Sequence, residues 1–300
     1  MRQFLKIALS CFVIALTCFG FLLEATAAES MAAAQPAAES APVESTEKGT
    51  PQPSVLEMYQ KVNGLFDKAF AATNAGDFKL AEDYWTQIIE LLPENAAAWS
   101  NRGNAKIGQN KFQSAIADYN RAAELAPNIP DPYLNRGTAL EALGKYDEAI
   151  ADYDHVLEID PKDPAAFNNR GNAKAGLGKW DEAIADYKKA VDLSRNYATA
   201  RANYALALYQ TGKTDEAIRA MRALVRKYPQ FADMRAALTA ALWAEGKEGE
   251  AESQWVSAIG LDSRYKDLNW LKTIRRWPPQ MITAMEKFLT LQSKAESTAS

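Results

Sequence analysis

Small and large apolar residues recur along this chain with two periods at once, one of three to four residues and one of 34. A small residue stands at Ala81, Ala115, Ala149, Ala183, Ala217 and Ala251. Four positions after each comes a large one, Trp85, Tyr119, Tyr153, Tyr187, Met221 or Trp255. Residues at i and i+4 share one face of a helix, so each such pair predicts an amphipathic helix with its apolar stripe turned inward. Five residues before each Ala stands Gly76, Asn110, Gly144, Gly178, Gly212 or Gly246. Twelve after it stands Pro93, Pro127, Pro161, Arg195, Pro229 or Ser263. Six copies run in phase without an insertion, over roughly residues 62 to 265. A fixed period of this length marks a stacked repeat architecture.

Each copy predicts two helices joined by a tight turn. The first carries a bulky residue and, four positions on, a glycine: Trp99 and Gly103, Tyr133 and Gly137, Phe167 and Gly171. A knob beside a hole lets a neighbouring helix approach closely. The Gly before each second helix ends the first, because a left-handed terminal residue costs glycine nothing, and Asn110 is the next best substitute. The second helices open on Asp147-Glu148, Asp181-Glu182 and Asp215-Glu216, acids set against the positive helix end. Proline then closes the copy.

The phrase NRGNAK at 101–106 returns at 169–174, with NRGTAL at 135–140 between them. Its Arg occurs only where an Asp follows sixteen residues later: Arg102 with Asp118, Arg136 with Asp152, Arg170 with Asp186. The other copies have Lys68, Tyr204 and Leu238 with Tyr84, Ala220 and Gln254. Residues that arrive and leave together predict a hydrogen-bonded ion pair between the two helices of a copy.

The pattern of large residue, Gly, Ala, aromatic and Pro resembles the tetratricopeptide repeat (TPR) family, best in copies two to four. Ala69, Ala205 and Thr239 replace the glycine in copies one, five and six. The resemblance covers about two thirds of the chain. It implies an all-α fold, a right-handed solenoid of about six helix-turn-helix repeats at 55–265, with an inner groove that binds peptides or proteins. Fold alone does not settle function.

In TPR arrays the first helix of each repeat lines the groove. That places Asn101, Asn135, Asn169 and Asn203, at one position of four successive copies, and Asn104 and Asn172, one past the glycine, as the candidate peptide-binding residues. An amide offers both donors and an acceptor, which suits the backbone of an extended peptide. Local capping and solvation of the helix is the competing reading. Some members of the family clamp a C-terminal carboxylate with Lys and Arg from the groove. Here those positions hold Ala97, Ser100, Asp131, Leu134, Ala165 and Asn168, which predicts that this clamp is absent.

Composition narrows the chemistry. Formal net charge is −4, which argues against a nucleic-acid partner, since that needs a basic footprint. Both cysteines, Cys11 and Cys18, lie in the apolar N-terminal run, so the repeats carry no disulfide and no thiolate metal site. The single histidine, His155, stands where other copies have Arg121 and Lys189, and is expected to be exposed. No catalytic set, phosphate loop or zinc spacing assembles. The expectation is a non-enzymatic chain without cofactor or metal.

The flanks frame the array. Residues 1–27 combine Arg2 and Lys6, an apolar run from Ile7 to Leu23, and Ala25-Thr26-Ala27. That predicts a signal peptide or an uncleaved membrane anchor, with the array on the non-cytoplasmic side. Residues 28–54, rich in Ala, Glu, Ser and Pro, predict a disordered linker. Residues 266–300 predict a capping helix pair broken at Pro278-Pro279. One face carries Leu271, Ile274 and Trp277, the other Met281, Met285, Phe288 and Leu289. Trp270, Arg275, Arg276 and Trp277 also have the composition of a docking hot spot.

The stretch LDSRYKDLNWLKTIRRWPPQMITAMEKFL resembles the tail of cyanobacterial and plastid TPR proteins associated with thylakoid membranes. These include types linked to photosystem assembly and to protochlorophyllide oxidoreductase. The resemblance implies an adaptor associated with the thylakoid membrane, with photosystem-assembly or chlorophyll-synthesis proteins as partners. The lumen side, or the periplasm, is expected from the charges flanking the N-terminal apolar run. The alternative is a structural component of a periplasmic, outer-membrane or cell-wall machine.

Overall fold

The computed structural model describes residues 54–299, with side chains to Leu291. The expected signal or anchor, and the linker up to residue 53, lie outside the described residues. Fourteen α-helices and one 3-10 turn make up the described chain, with no strand among them. The first twelve form six antiparallel pairs, one per copy. They are α1 Val55–Ala75 with α2 Phe78–Leu91, α3 Ala96–Gly108 with α4 Phe112–Leu125, and α5 Pro130–Ala142 with α6 Tyr146–Ile159. There follow α7 Pro164–Gly176 with α8 Trp180–Leu193, α9 Ala198–Gln210 with α10 Thr214–Lys227, and α11 Ala232–Ala244 with α12 Glu248–Leu261. After the 3-10 turn at Ser263–Lys266 come α13 Leu268–Thr273 and α14 Pro279–Ala299.

The turn inside each pair follows from backbone bonding. Gly144 has φ 75°, and the Lys145 amide reaches back to the Leu140 carbonyl at 2.9 Å. Asn110 adopts the same left-handed conformation at φ 60°, as expected of the next best residue. The second helices α4, α6, α8, α10 and α12 begin after lysines that make no side-chain cap. In α6, α8 and α10 the acids of the first turn supply the compensating charge.

Packing within a copy is set by the glycine of NRG. A Cβ on Gly137 would lie 2.6 Å from the Tyr153 ring, and Gly103 and Gly171 meet Tyr119 and Tyr187 as closely. Tyr119, Tyr153 and Tyr187 are almost fully buried as a result.

The expected ion pairs form, each through two contacts. Arg136 donates from Nε to Asp152 at 2.9 Å and from Nη2 at 2.5 Å, and Arg102–Asp118 and Arg170–Asp186 repeat the geometry. A second set of contacts runs the other way along the chain. The remaining nitrogen reaches back sixteen residues to Thr86, Asn120 or Asp154, on the second helix of the preceding copy. Each guanidinium also lies over the aromatic ring three residues before it, at 4.7–5.3 Å. One arginine thus joins two successive copies. A double-mutant cycle on Arg136→Ala and Asp152→Ala should show a coupling of about 1–3 kcal/mol in denaturant unfolding. Additive effects of the two substitutions would remove the pair from the account of stability.

The C-terminal segment departs from the expected pair of capping faces. α13 ends at Thr273, so Ile274 falls outside the helix and is 67% exposed, while Leu271 and Trp277 are buried. Beyond it the chain turns at Arg276 (φ 53°) and Pro279 opens α14. Met281, Met285 and Phe288 are fully buried, as their spacing predicts. Phe288 meets Trp243 and Trp255 edge-on at 5.2 and 5.1 Å.

Candidate peptide-binding groove

Successive first helices touch one another: α3 with α5, α5 with α7, α7 with α9 and α9 with α11. Successive second helices make no comparable contact among the described residues. The stack is therefore tighter on the first-helix side, and curvature places those helices on the inner wall. Across this wall runs the C-terminal segment. α14 packs on α11 and α9, and the Gln280 amide donates to Gln210 at the end of α9 at 2.9 Å. Ala237 and Ala240, one period after Asn203 and Leu206, are completely covered. The last copy's share of the groove is thus filled by the chain's own final helix.

The segment Ile274–Pro279 forms a strap between α13 and α14. Its anchor is Asp233, a buried carboxylate in the first turn of α11. Oδ1 accepts from Tyr265 Oη at 3.1 Å, Arg275 Nε at 2.9 Å and Trp277 Nε1 at 3.0 Å, and Arg275 Nη2 reaches Oδ2 at 2.8 Å. Trp270 stands edge-on to Tyr265 with Arg264 over its face. Of the residues with hot-spot composition, Trp277 is buried and Arg275 is paired to Asp233, while Arg276 is exposed.

Between the strap and copies three to five lies a cavity of about 890 Å³. Asn172 and Asn203 line it, with Tyr146 and Trp180 beside them and Arg276 and Lys272 on the strap side. Glu141, from α5, faces Arg276 at 3.6 Å. Burial pushes its carboxyl up to about 7, against the opposing pull of Arg276 and of the Tyr153 hydroxyl. In copies two and four the equivalent tyrosines, Tyr119 and Tyr187, donate instead to Asn104 and Asn172. Copy three has Thr138 at that position, and Tyr153 turns to Glu141 at 3.4 Å.

The candidate asparagines divide by what they do inside the fold. Asn104 and Asn172 use Oδ1 to receive a buried tyrosine hydroxyl. Asn203 donates to Asn172 and to the buried Asn168, both at 3.0 Å, and Asn168 donates to Asn169. These four amides form a chain that ties copy four to copy five. Asn101 donates to the Ala97 carbonyl of its own helix. The Asn135 side chain makes no hydrogen bond among the described residues. Asn172 keeps its NH₂, Asn203 its carbonyl oxygen and Asn169 its NH₂ free of any hydrogen bond among the described residues.

His155 is less open than its sequence position suggests. Its ring packs on Tyr133 with centroids 4.2 Å apart, and Nδ1 faces Glu158 at 3.1 Å. No group of three or more metal-binding side chains occurs among the described residues, and no described helix is long and apolar enough to cross a membrane.

Family models described as TPR repeat or tetratricopeptide repeat match residues 96–129, 118–151, 140–178, 168–230 and 205–264. Together they cover more than half of the chain. This chain is a tetratricopeptide repeat protein. No curated protein matches it. Among solved structures, a TPR protein from Parabacteroides merdae has TM-score 0.60 at 20% identity, over 77% of this chain and 93% of its own. A thermophilic TPR protein of Thermus thermophilus gives 0.52 at 18%, over 61% and 99%. MamA of Desulfovibrio magneticus gives 0.52 at 18%, over 56% and 96%. These similarities show the TPR fold. TPR proteins are in general protein- or peptide-binding scaffolds without enzymatic activity.

Proposed function

We propose that this TPR protein is an adaptor that holds an extended peptide segment of a partner protein in the groove of copies two to five. The observation that carries this reading is the free hydrogen-bonding capacity left along the inner wall. Asn135 has both amide groups unused, and Asn169, Asn172 and Asn203 each keep one. A peptide backbone presents alternating donors and acceptors and matches such a row without regard to its side chains. On α11, and at the end of α9, the wall is closed by α14, so the chain itself limits the binding length on that side.

The partners we propose are membrane or exported proteins undergoing assembly. The resemblance of the tail to thylakoid-associated TPR proteins supports photosystem-assembly or chlorophyll-synthesis proteins as the first candidates. The test is affinity capture with the full chain and with the N135A/N169A variant in parallel. Proteins held by the first and lost by the second are the clients of the groove, and the variant should melt within about 1 kcal/mol of the parent, since the only hydrogen bond lost is that from Asn168. Photosynthetic membrane proteins in that set support the setting, and outer-membrane or wall proteins replace it with the structural alternative. Identical sets from both baits would refute binding through the asparagines.

A further inference from the structure

Arg276 is held unlike the arginines of the repeat ion pairs and unlike its neighbour Arg275. Arg102, Arg136, Arg170 and Arg275 each make a two-point contact to a buried aspartate. Arg276 has one carboxylate within reach among the described residues, Glu141 at 3.6 Å, which is beyond hydrogen-bonding distance. Half of its side chain is exposed. Its backbone has φ 53°, a conformation that disfavours any residue bearing a Cβ by about 1 kcal/mol or more. The neighbours hold it there: Trp277 is pinned to Asp233 on one side, and Pro279 starts α14. The strained turn presents a weakly neutralised guanidinium to the cavity. Lys272, on the same side, makes no ion pair among the described residues.

The facing wall offers complementary groups. Asn172 has a free NH₂ and Asn203 a free carbonyl oxygen, a donor and an acceptor on adjacent helices, bonded to each other at 3.0 Å through their other ends. That is the pair a single peptide unit needs. Tyr146 and Trp180 supply apolar surface beside them. The volume of about 890 Å³ is at the upper end of the usual range for ligand sites and holds a short run of residues.

We propose that the cavity under the strap binds a peptide segment carrying an acidic side chain. Arg276 and Lys272 receive its carboxylate, and Asn172 and Asn203 receive its backbone. This rests on the groove reading above and adds a selectivity to it. A basic side chain there would meet two cations. The cavity's own acids do not reverse that balance, because Asp233 is saturated by three donors and Glu141 is kept partly protonated near neutrality by its burial.

The test passes a randomised synthetic peptide library over the immobilised full chain, the R276Q variant and the E141Q variant. Sequences retained by the parent should be enriched in Asp or Glu at one position. A peptide resynthesised from that pool should bind R276Q roughly tenfold more weakly. It should bind E141Q more tightly, since Arg276 then has no competing carboxylate, a gain that misfolding cannot produce. Enrichment without an acidic preference, an unaffected R276Q, or no gain in E141Q overturns the acidic site and leaves the groove reading in place. No enrichment on any of the three overturns both.

Discussion

Asp233→Ala should release the strap and destabilise the C-terminal third of the array by about 3–5 kcal/mol, the cost of leaving buried partners of a carboxylate unpaired. Three donors lose their acceptor at once. Trp277 Nε1 and the Tyr265 hydroxyl are enclosed where water does not replace it, and the Arg275 guanidinium loses its only two-point partner. Because the strap connects to α14 through Pro278 and Pro279, its release also loosens the cover over Ala237 and Ala240. The measurement is limited trypsin digestion with mass analysis. The parent should resist cleavage at Lys272, Arg275 and Arg276, and the variant should be cut there before the repeats are touched. Asp233→Asn keeps an acceptor and should fall between the two. Equal cleavage rates in parent and Asp233→Ala would show that the strap is held by its apolar contacts alone.

What the sequence made legible was everything that repeats. Gly137 and Tyr153 announce their contact because the same pair recurs 34 residues on either side, and Arg136 announces Asp152 because each is missing where the other is. The backward contacts from arginine to Thr86, Asn120 and Asp154 were not legible, since three different side chains fill that position. Gly108 and Gly176 were available but unread. They occupy one position in copies two and four, and a Cβ there would collide with Phe78 and Tyr146.

The strap was legible in composition but not in placement. Nothing in Arg276 or Glu141 taken singly pairs them across the groove, because a contact made once carries no period. The expectation for Ile274 failed for a local reason: the helix ends one residue before it, and a face inferred from spacing holds only while the helix lasts. The asparagines stand on the first helix of each copy, where their register puts them. Their division into structural and uncommitted amides depends on which tyrosine or neighbour each meets, which spacing does not encode.

Glu141 gives the second large effect, and its sign is opposite to that of an ordinary ion-paired carboxylate. Burial raises its folded pKa from 4.5 to about 7, so the native chain holds a proton that the unfolded chain releases. Stability from this group is therefore complete below the unfolded value and is lost as pH rises through about 7. Arg276 and the Tyr153 hydroxyl pull the other way, but burial is the larger cause. Glu141→Gln removes the ionisation while keeping an oxygen that accepts from Tyr153. The variant should match the parent near about pH 4 and exceed it near about pH 8 by roughly 3 kcal/mol, the equivalent of the shift. Thermal melts at the two pH values decide the matter. A variant less stable than the parent at the higher pH would mean that the attraction between Glu141 and Arg276 outweighs the burial of the carboxylate, and that the strap is latched by charge. The expected result means that the fold buries this acid at a net cost, where Arg276 of the strap faces the groove.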